Sequence, residues 1–245
     1  MKRRTHTLLV KPVIILLNLT VDISNMLIAG VITPDKLRRP FTSHHGDEGK
    51  DKAIKEMWKA RKYFLKGDYI NAYYHLGRAL HYVHDVCIGR EPSKLKHEML
   101  EYDIDIAVRE MIDEVIESIK QGLENKLRDP VELENSIWSI KARRDITEII
   151  LNAAYMTGLL VSSVLNKDPC PKEYIDNYER KAKYKVISII GAGIWLGLIL
   201  ELISSFNPPI ILSMILIGLT YLVFKLLRKP YEDARKRLLW YGVKA

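Results

Sequence analysis

A long apolar block near the C-terminus constrains the fold of this 245-residue sequence more than any other feature. Between Val186 and Phe224 the only charged residue is Glu201, whereas the first two thirds of the chain mixes charged and apolar residues freely. A single bilayer crossing needs about 20 apolar residues, so the block has room for two helices. We therefore expect a mostly helical polar part followed by a membrane part.

The apolar block is interrupted by a turn at Asn207, Pro208 and Pro209, which predicts a two-helix transmembrane hairpin. Lys and Arg are frequent on both sides of the hairpin and absent from the turn, so the positive-inside rule places both ends in the cytoplasm. The polar domain follows them, which predicts a multi-pass membrane protein with a cytoplasmic domain. The expected organisation is an all-α domain at 1–168, a basic linker helix at 169–185, the hairpin at 186–226 and a basic amphipathic tail at 227–245.

The N-terminal segment 1–31 begins with three basic residues and continues into an apolar run. Lys11, Pro12 and Asn18 interrupt that run, and no small-residue cleavage site follows it, so we interpret it as a buried amphipathic helix. A signal anchor is the alternative. That alternative would export the polar domain and contradict the orientation predicted from the hairpin.

The polar part shows helical periodicity and no strand alternation of any length. Gly67 is a natural helix end, and Asp68 is well placed to cap the helix that follows. Further helices are predicted from about Glu48, from Tyr69 to Ile88, from Pro92 to about Leu127, and from Pro130 onward. With the N-terminal segment, these elements predict an all-α bundle of about five helices.

The formal net charge of +8 favours contact with an acidic partner. Because Lys and Arg cluster beside the apolar block, we favour an anionic bilayer surface over nucleic acid. The only cysteines are Cys87 and Cys170, so no disulfide framework is implied, although one bridge remains open. A reducing compartment is the simpler interpretation.

Two histidine–carboxylate pairs at helical spacing are the strongest chemical signal in the chain. Residues four apart lie on the same helix face, so each pair can direct a nitrogen and an oxygen to one point. A loop with two further histidines and an aspartate precedes them, immediately before a predicted helix. The candidate metal ligands are His44, His45 and Asp47 from the loop, with the pairs His81–Asp85 and His97–Glu101.

Zinc binds neutral histidine nitrogen and carboxylate oxygen, which are the groups that this set offers. Seven ligands are too many for one tetrahedral ion. They suit two or three zinc ions with a bridging carboxylate and a bridging water, an arrangement that activates the water and binds phosphoryl oxygens.

The residues around the first pair resemble the signature of a known superfamily, that of zinc-dependent phospholipase C and the S1/P1 nucleases. The matching residues are Gly77, Ala79, Leu80, His81, Tyr82 and Asp85, followed downstream by His97 and Glu101. The resemblance covers about residues 68–101. It implies an all-α fold, a zinc cluster and hydrolysis of phosphodiesters.

The resemblance also implies roles for individual residues. His81 and Asp85 would be ligands from one helix, with Asp85 bridging two ions, and His97 and Glu101 would serve a second ion. Asp85 and Asp47 are the predicted catalytic residues. By order along the chain, His6 corresponds to the early histidine of the superfamily, and the loop ligands correspond to its upstream His and Asp.

The chain departs from the superfamily at two points. The histidine usually found soon after the aspartate is absent from the stretch 86–94, in which Glu91 is the one residue able to ligate. The superfamily also uses the amino group of its processed N-terminus, and we do not expect Met1 to reproduce that ligand.

The sequence thus predicts a membrane-anchored, zinc-dependent phosphodiester hydrolase that uses a metal-activated water. A phospholipid substrate fits the anchor and the basic flanks, whereas a nucleic acid substrate fits the charge alone. The alternatives are a non-catalytic membrane scaffold with a degenerate site and a nucleic-acid-binding helical module. His75 and His84 are interpreted as core histidines.

Overall fold

The chain is helical throughout the part that the structure describes. The computed structural model describes residues 1–36, 46–88, 93–183 and 228–244, together with Trp195, Leu198 and Glu201. Its helices are α1 (Arg3–Leu16), α2 (Val21–Lys36), α3 (Gly46–Leu65), α4 (Tyr69–Val86), α5 (Lys94–Glu110), α6 (Ile112–Glu124), α7 (Pro130–Trp138), α8 (Ile146–Val164), α9 (172–183) and α10 (228–240). These residues contain no β-strand, and the predicted all-α class is confirmed.

The chain divides into two compact units, Met1–Lys167 and Asp168–Ala245. The first contains α1 to α8. In the second, α9 and α10 contact each other, and the hydroxyl oxygens of Tyr178 and Tyr231 lie 3.3 Å apart.

Local backbone features divide three of the predicted helices. Asn18 adopts a φ of 47°, a left-handed conformation that ends α1 before α2 begins. Met111 separates α5 from α6, and Asp145 starts α8 by accepting a hydrogen bond from the amide of Glu148 at 2.9 Å. Within the described part of Met1–Lys167 there are eight helices where the sequence predicted about five.

Helix α4 is the central element of the first unit and packs against α2, α3 and α8. It begins as predicted, because Gly67 has a φ of 76° and Asp68 accepts a hydrogen bond from the amide of Asn71 at 3.1 Å. All residues from 79 to 88 are buried. Polar side chains in this stretch must therefore find their partners inside the protein.

A contact between two glycines allows α2 and α4 to approach closely. A Cβ atom on Gly77 would lie 2.3 Å from the carbonyl oxygen of Leu27, and one on Gly30 would lie 2.1 Å from that of Tyr74. Backbone occupies both positions, so no larger residue fits without separating the helices. This contact fixes the position of α2 along the axis of α4, next to the buried half of α4.

Helices α6 and α8 also approach closely through two glycines, since a Cβ atom on either Gly122 or Gly158 would lie 2.1 Å from a carbonyl oxygen of the facing helix.

Among the described helices, α8 is the one long and apolar enough to cross a membrane by length and composition. Its most apolar window is 61% buried inside the protein, which is the environment of a core helix.

The predicted transmembrane hairpin at 186–226 lies outside the described residues, apart from Trp195, Leu198 and Glu201. Trp195 and Leu198 are helical and expose 62% and 52% of their surface. His44 and His45 also lie outside the described residues. The multi-pass topology and the cytoplasmic orientation remain predictions.

Candidate metal centre

Three buried side chains with metal-ligating atoms converge where α1 meets the second half of α4. His81 and Asp85 lie one turn apart on α4, and α1 places His6 beside them. Nε2 of His6 is 3.4 Å from Oδ1 of Asp85, and Nε2 of His81 is 3.3 Å from Oδ2. One ligand atom from each residue lies within 4.8 Å of the others. This group of buried residues could hold a metal ion.

The orientation of His81 is fixed by the packing of α2 on α4. Its Nδ1 lies 2.9 Å from the carbonyl oxygen of Val31. A carbonyl only accepts, so Nδ1 donates, and in the neutral form of the ring the lone pair lies on Nε2, the atom that faces Asp85. Val31 follows Gly30, and His81 lies one turn after Gly77, so the glycine contact brings the carbonyl and the imidazole together.

The orientation of His6 is fixed by a second buried histidine. Nδ1 of His6 lies 3.0 Å from Nδ1 of His84, and Nε2 of His84 lies 2.8 Å from the hydroxyl oxygen of Thr157. Burial, together with the neighbouring His81, lowers the pKa of His6 to about 3. Burial also holds the pKa of His84 well below its usual range. Both rings are therefore neutral near pH 7.

Asp85 carries the negative charge of the cluster. Burial alone would raise the pKa of Asp85. The Met1 ammonium and the neighbouring His81 together outweigh burial and hold this pKa well below the usual range. The Met1 nitrogen lies 2.5 Å from Oδ1 of Asp85 and 3.1 Å from Oε1 of Glu101. Burial opposes the ammonium charge, yet these two carboxylates raise the pKa of the Met1 amino group.

The second predicted pair lies at the outer edge of this cluster. Nε2 of His97 is 3.4 Å from Oε1 of Glu101, and the two side chains are 23% and 13% exposed. Glu101 is linked to Asp85 through the Met1 nitrogen. The polar groups therefore form a continuous row from the interior at Asp85 to the surface at His97.

Asp47 does not belong to this group. It lies in the first turn of α3, where a carboxylate is stabilised by the helix dipole. Its side chain is 83% exposed and lies 3.7 Å from Nζ of Lys50. Of the sequence-predicted residues that the structure describes, His81 and Asp85 converge, His97 and Glu101 lie next to them, and Asp47 lies apart.

Two groups at the site were not found by sequence analysis. Oδ1 of Asp35 lies 3.9 Å from Nε2 of His81. Asp35 belongs to the last turn of α2, one turn after Val31, and that spacing is the signal that would have found it. The Met1 nitrogen was not expected to act as a metal ligand, and it lies at the site as an ammonium group in contact with Asp85 and Glu101.

The two histidines interpreted as core residues do have partners in the core. His84 contacts His6 and Thr157, and Nδ1 of His75 donates to Oε2 of Glu56 at 2.6 Å. The contact of His84 with His6 nevertheless ties it to the candidate metal centre.

The donor chemistry of the cluster fits a divalent ion bound by nitrogen and oxygen. Two imidazoles and a carboxylate are the ligand types found in zinc sites with three protein ligands. Nε2 of His6 is buried and has no hydrogen-bond partner among the described residues, since its 3.4 Å contact with Asp85 lacks hydrogen-bond geometry. A buried nitrogen without a hydrogen bond costs free energy, and a cation bound between it and the carboxylate would remove that cost.

Comparison of the chain with protein-family models, with curated protein sequences and with solved structures finds no match.

Proposed function

We propose that this protein is a zinc-dependent phosphodiester hydrolase held at a membrane surface. The observation that carries the proposal is the convergence of His6, His81 and Asp85, with both imidazole Nε2 atoms facing the carboxylate. Two imidazole ligands favour zinc or another first-row transition metal over magnesium or calcium, which prefer oxygen.

His6 and His81 would hold the ion through Nε2, and Asp85 would hold it through its carboxylate. A bound zinc ion supplies a Lewis acid and lowers the pKa of a water ligand, which makes hydroxide accessible at neutral pH. The Val31 carbonyl keeps His81 in the required tautomer through its hydrogen bond. Met1 neutralises part of the buried negative charge.

The row of polar groups from Asp85 to His97 gives the site an outer end, at which a substrate would arrive. Glu101 and His97 are partly exposed there. Lys2 lies beside this end, with its ammonium 4.5 Å from the ring centre of Tyr102. A cation at this position would attract a phosphodiester. His97 and Glu101, with the loop residues His44, His45 and Asp47, remain predicted ligands of further ions.

A phospholipid is the proposed substrate. The nearly uncharged block at 186–224 and its basic flanks support attachment to an anionic bilayer. Trp195 and Leu198 are exposed apolar side chains within that block, as side chains in contact with lipid would be.

Zinc-loaded protein tests the proposal with three substrates: bis(p-nitrophenyl) phosphate, vesicles of phosphatidylcholine and phosphatidylserine, and single-stranded DNA. We expect tight zinc binding and hydrolysis of the generic ester and the lipid, both lost in Asp85→Asn. Hydrolysis of DNA but not of lipid would overturn the phospholipid substrate and indicate a nuclease. Absence of zinc binding and of all hydrolysis would overturn it.

A non-catalytic scaffold is the second candidate, and it is favoured by burial. His6 and His81 are fully buried, and Asp85 is nearly so, as in closed structural metal sites. Under this view zinc raises the thermal unfolding temperature without any hydrolysis. A nucleic-acid-binding module would instead show salt-dependent DNA affinity that survives chelation.

A further inference from the structure

A buried chain of hydrogen bonds runs from α8 to the candidate metal centre. The Thr157 hydroxyl lies 2.8 Å from the carbonyl oxygen of Ala153 and 2.8 Å from Nε2 of His84. Nδ1 of His84 lies 3.0 Å from Nδ1 of His6. Thr157, His84 and His6 are all fully buried, so neighbouring groups of the protein, rather than bulk water, determine which atoms carry the protons.

The direction of this chain follows from its carbonyl end. The Ala153 carbonyl only accepts, so the Thr157 hydroxyl donates to it and has no second proton to give. His84 must then donate from Nε2 to Thr157, which leaves a lone pair on its own Nδ1. Since one proton bridges the two facing Nδ1 atoms, His6 supplies it. His6 therefore carries its lone pair on Nε2, the atom that faces Asp85.

The opposite direction fits the distances less well. It would turn the Thr157 hydroxyl toward His84 and place a proton on Nε2 of His6, which would then donate to Asp85 over 3.4 Å. Hydrogen bonds from nitrogen to a charged carboxylate are usually about 2.7 to 2.9 Å long. It would also give up the 2.8 Å bond from Thr157 to Ala153. The first direction uses three short contacts and is the one that the geometry favours.

We propose that Thr157 and His84 are positioning residues that hold His6 in the tautomer protonated on Nδ1, and thereby set the metal affinity of the site. Neither residue touches the ion. This inference rests on the metal site of the proposed function and adds the control of that site. Partners that fix the tautomer of a ligating histidine typically change metal affinity by about 10- to 100-fold when they are removed.

Substitutions of the hydroxyl at position 157 test the inference with little change in shape. Thr157→Val removes the hydroxyl, and Thr157→Ser restores it. Ser163→Ala is the matched control, because Ser163 is another buried hydroxyl on α8, and it accepts a hydrogen bond from the amide of Leu127 instead. The readouts are zinc affinity by competition with a chromophoric chelator and the unfolding free energy.

We expect zinc affinity to fall by about 10-fold in Thr157→Val, to stay within about 3-fold of the native protein in Thr157→Ser, and to be unchanged in Ser163→Ala. Both Thr157→Val and Ser163→Ala should lose stability, so a change in affinity that merely followed stability would appear in both.

A second readout does not require metal. In the metal-free protein labelled with ¹⁵N-histidine, long-range proton–nitrogen correlation spectra report which nitrogen of His6 carries the proton. We expect protonated Nδ1 in the native protein and in Thr157→Ser, and an increased share of the other tautomer in Thr157→Val.

The two proposals fail in different ways. Zinc binding that is equal in native protein and Thr157→Val overturns the positioning role and leaves the metal site intact. No zinc binding by the native protein overturns the proposed function. In that case the part of the inference that concerns metal affinity is overturned as well. The part that concerns the tautomer is tested by the His6 spectrum, and a proton on Nε2 in the native protein would overturn it.

Discussion

The two histidine–carboxylate pairs have the same spacing and very different surroundings. His81 and Asp85 expose 0% and 2% of their side chains, whereas His97 and Glu101 expose 23% and 13%. The nitrogen–oxygen distances within the pairs are nearly equal, at 3.3 Å and 3.4 Å. The four-residue spacing therefore brings the nitrogen and the oxygen of each pair together, and the packing around a pair determines how far it is shielded from water.

The difference comes from the helices around each pair. Helix α4 packs against α2, α3 and α8, and the polar side chains of His81, His84 and Asp85 on its buried half meet groups from other parts of the chain. His81 is held by a backbone carbonyl, and Asp85 lies against the Met1 ammonium. The pair on α5 remains in partial contact with water, which competes for its hydrogen bonds and weakens its electrostatic interactions.

The largest expected effect is that of removing the buried carboxylate charge. Asp85→Asn should weaken zinc binding by more than about 100-fold, because a direct ligand should matter more than an indirect partner. It should also cost about 3 kcal/mol of unfolding free energy, since the buried Met1 ammonium loses its nearest charge partner.

Glu101→Gln is the matched control for that substitution. Its partly exposed carboxylate is the more distant of the two from Met1, so both effects should be several-fold smaller. Calorimetric zinc titration and urea unfolding measure them. Equal losses in the two variants would contradict the distinction between the pairs.

The histidines of the two pairs should differ in the same direction. His81→Gln removes the Nε2 ligand, and we expect zinc affinity to fall by about 100-fold. His97→Gln should change the affinity of the tightest site by less than about 3-fold. Stoichiometry by mass spectrometry of the native complex gives an independent readout, and a tightest site that depended on His97 would show that the outer pair forms it.

The glycine contacts give a packing test with a smaller expected effect. Gly77→Ala and Gly122→Ala each place a Cβ atom against backbone, at 2.3 Å and 2.1 Å, so each should cost about 2 kcal/mol of stability. Only Gly77→Ala displaces the Val31 carbonyl from His81 and should weaken zinc binding. Zinc affinity reduced equally in both variants would mean that general loosening, not tautomer control, governs the site.

A third histidine–carboxylate contact, between His75 and Glu56, should contribute least to stability and should have no influence on metal binding. Burial opposes the charge on Glu56, but hydrogen bonds from His75 and Lys59 and the charge of Arg78 outweigh it and lower the Glu56 pKa. The stabilisation is therefore complete above the unfolded-state pKa of 4.5 and is lost as the pH falls through the lower folded-state pKa.

Glu56→Gln should remove about 1 kcal/mol near pH 7, and its difference from the native protein should shrink as the pH drops below 4.5. Thermal unfolding from pH 3 to pH 7 measures this difference, and zinc affinity should not change. A difference that grew toward acid would show that the Glu56 pKa is raised rather than lowered.

Local features of the sequence predicted the start of α4 and the pairing within it. Gly67 and Asp68 act over a few residues, and His81 and Asp85 are one helical turn apart, so neither depends on the rest of the fold. The helix boundary at Met111 was missed because the apolar periodicity continues across it. The boundary at Asn18 was missed because a polar residue inside an apolar run also fits one continuous amphipathic helix.

The remaining half of the site depends on contacts between distant parts of the chain. His6 and His84 are 78 residues apart, and His81 meets a backbone carbonyl 50 residues away. A carbonyl leaves no signature in the sequence, and its position follows from the contact of Gly30 with Gly77. Sequence spacing could therefore supply ligands from one helix, whereas His6 on the second helix was named only by its order along the chain in the resemblance.

The central claim is that His6, His81 and Asp85 bind one ion, and anomalous X-ray diffraction from zinc-loaded crystals tests it most directly. The account predicts a zinc peak about 2.0 to 2.2 Å from Nε2 of His6, Nε2 of His81 and a carboxylate oxygen of Asp85. A zinc peak elsewhere, or no peak between these three residues in zinc-saturated crystals, would contradict it.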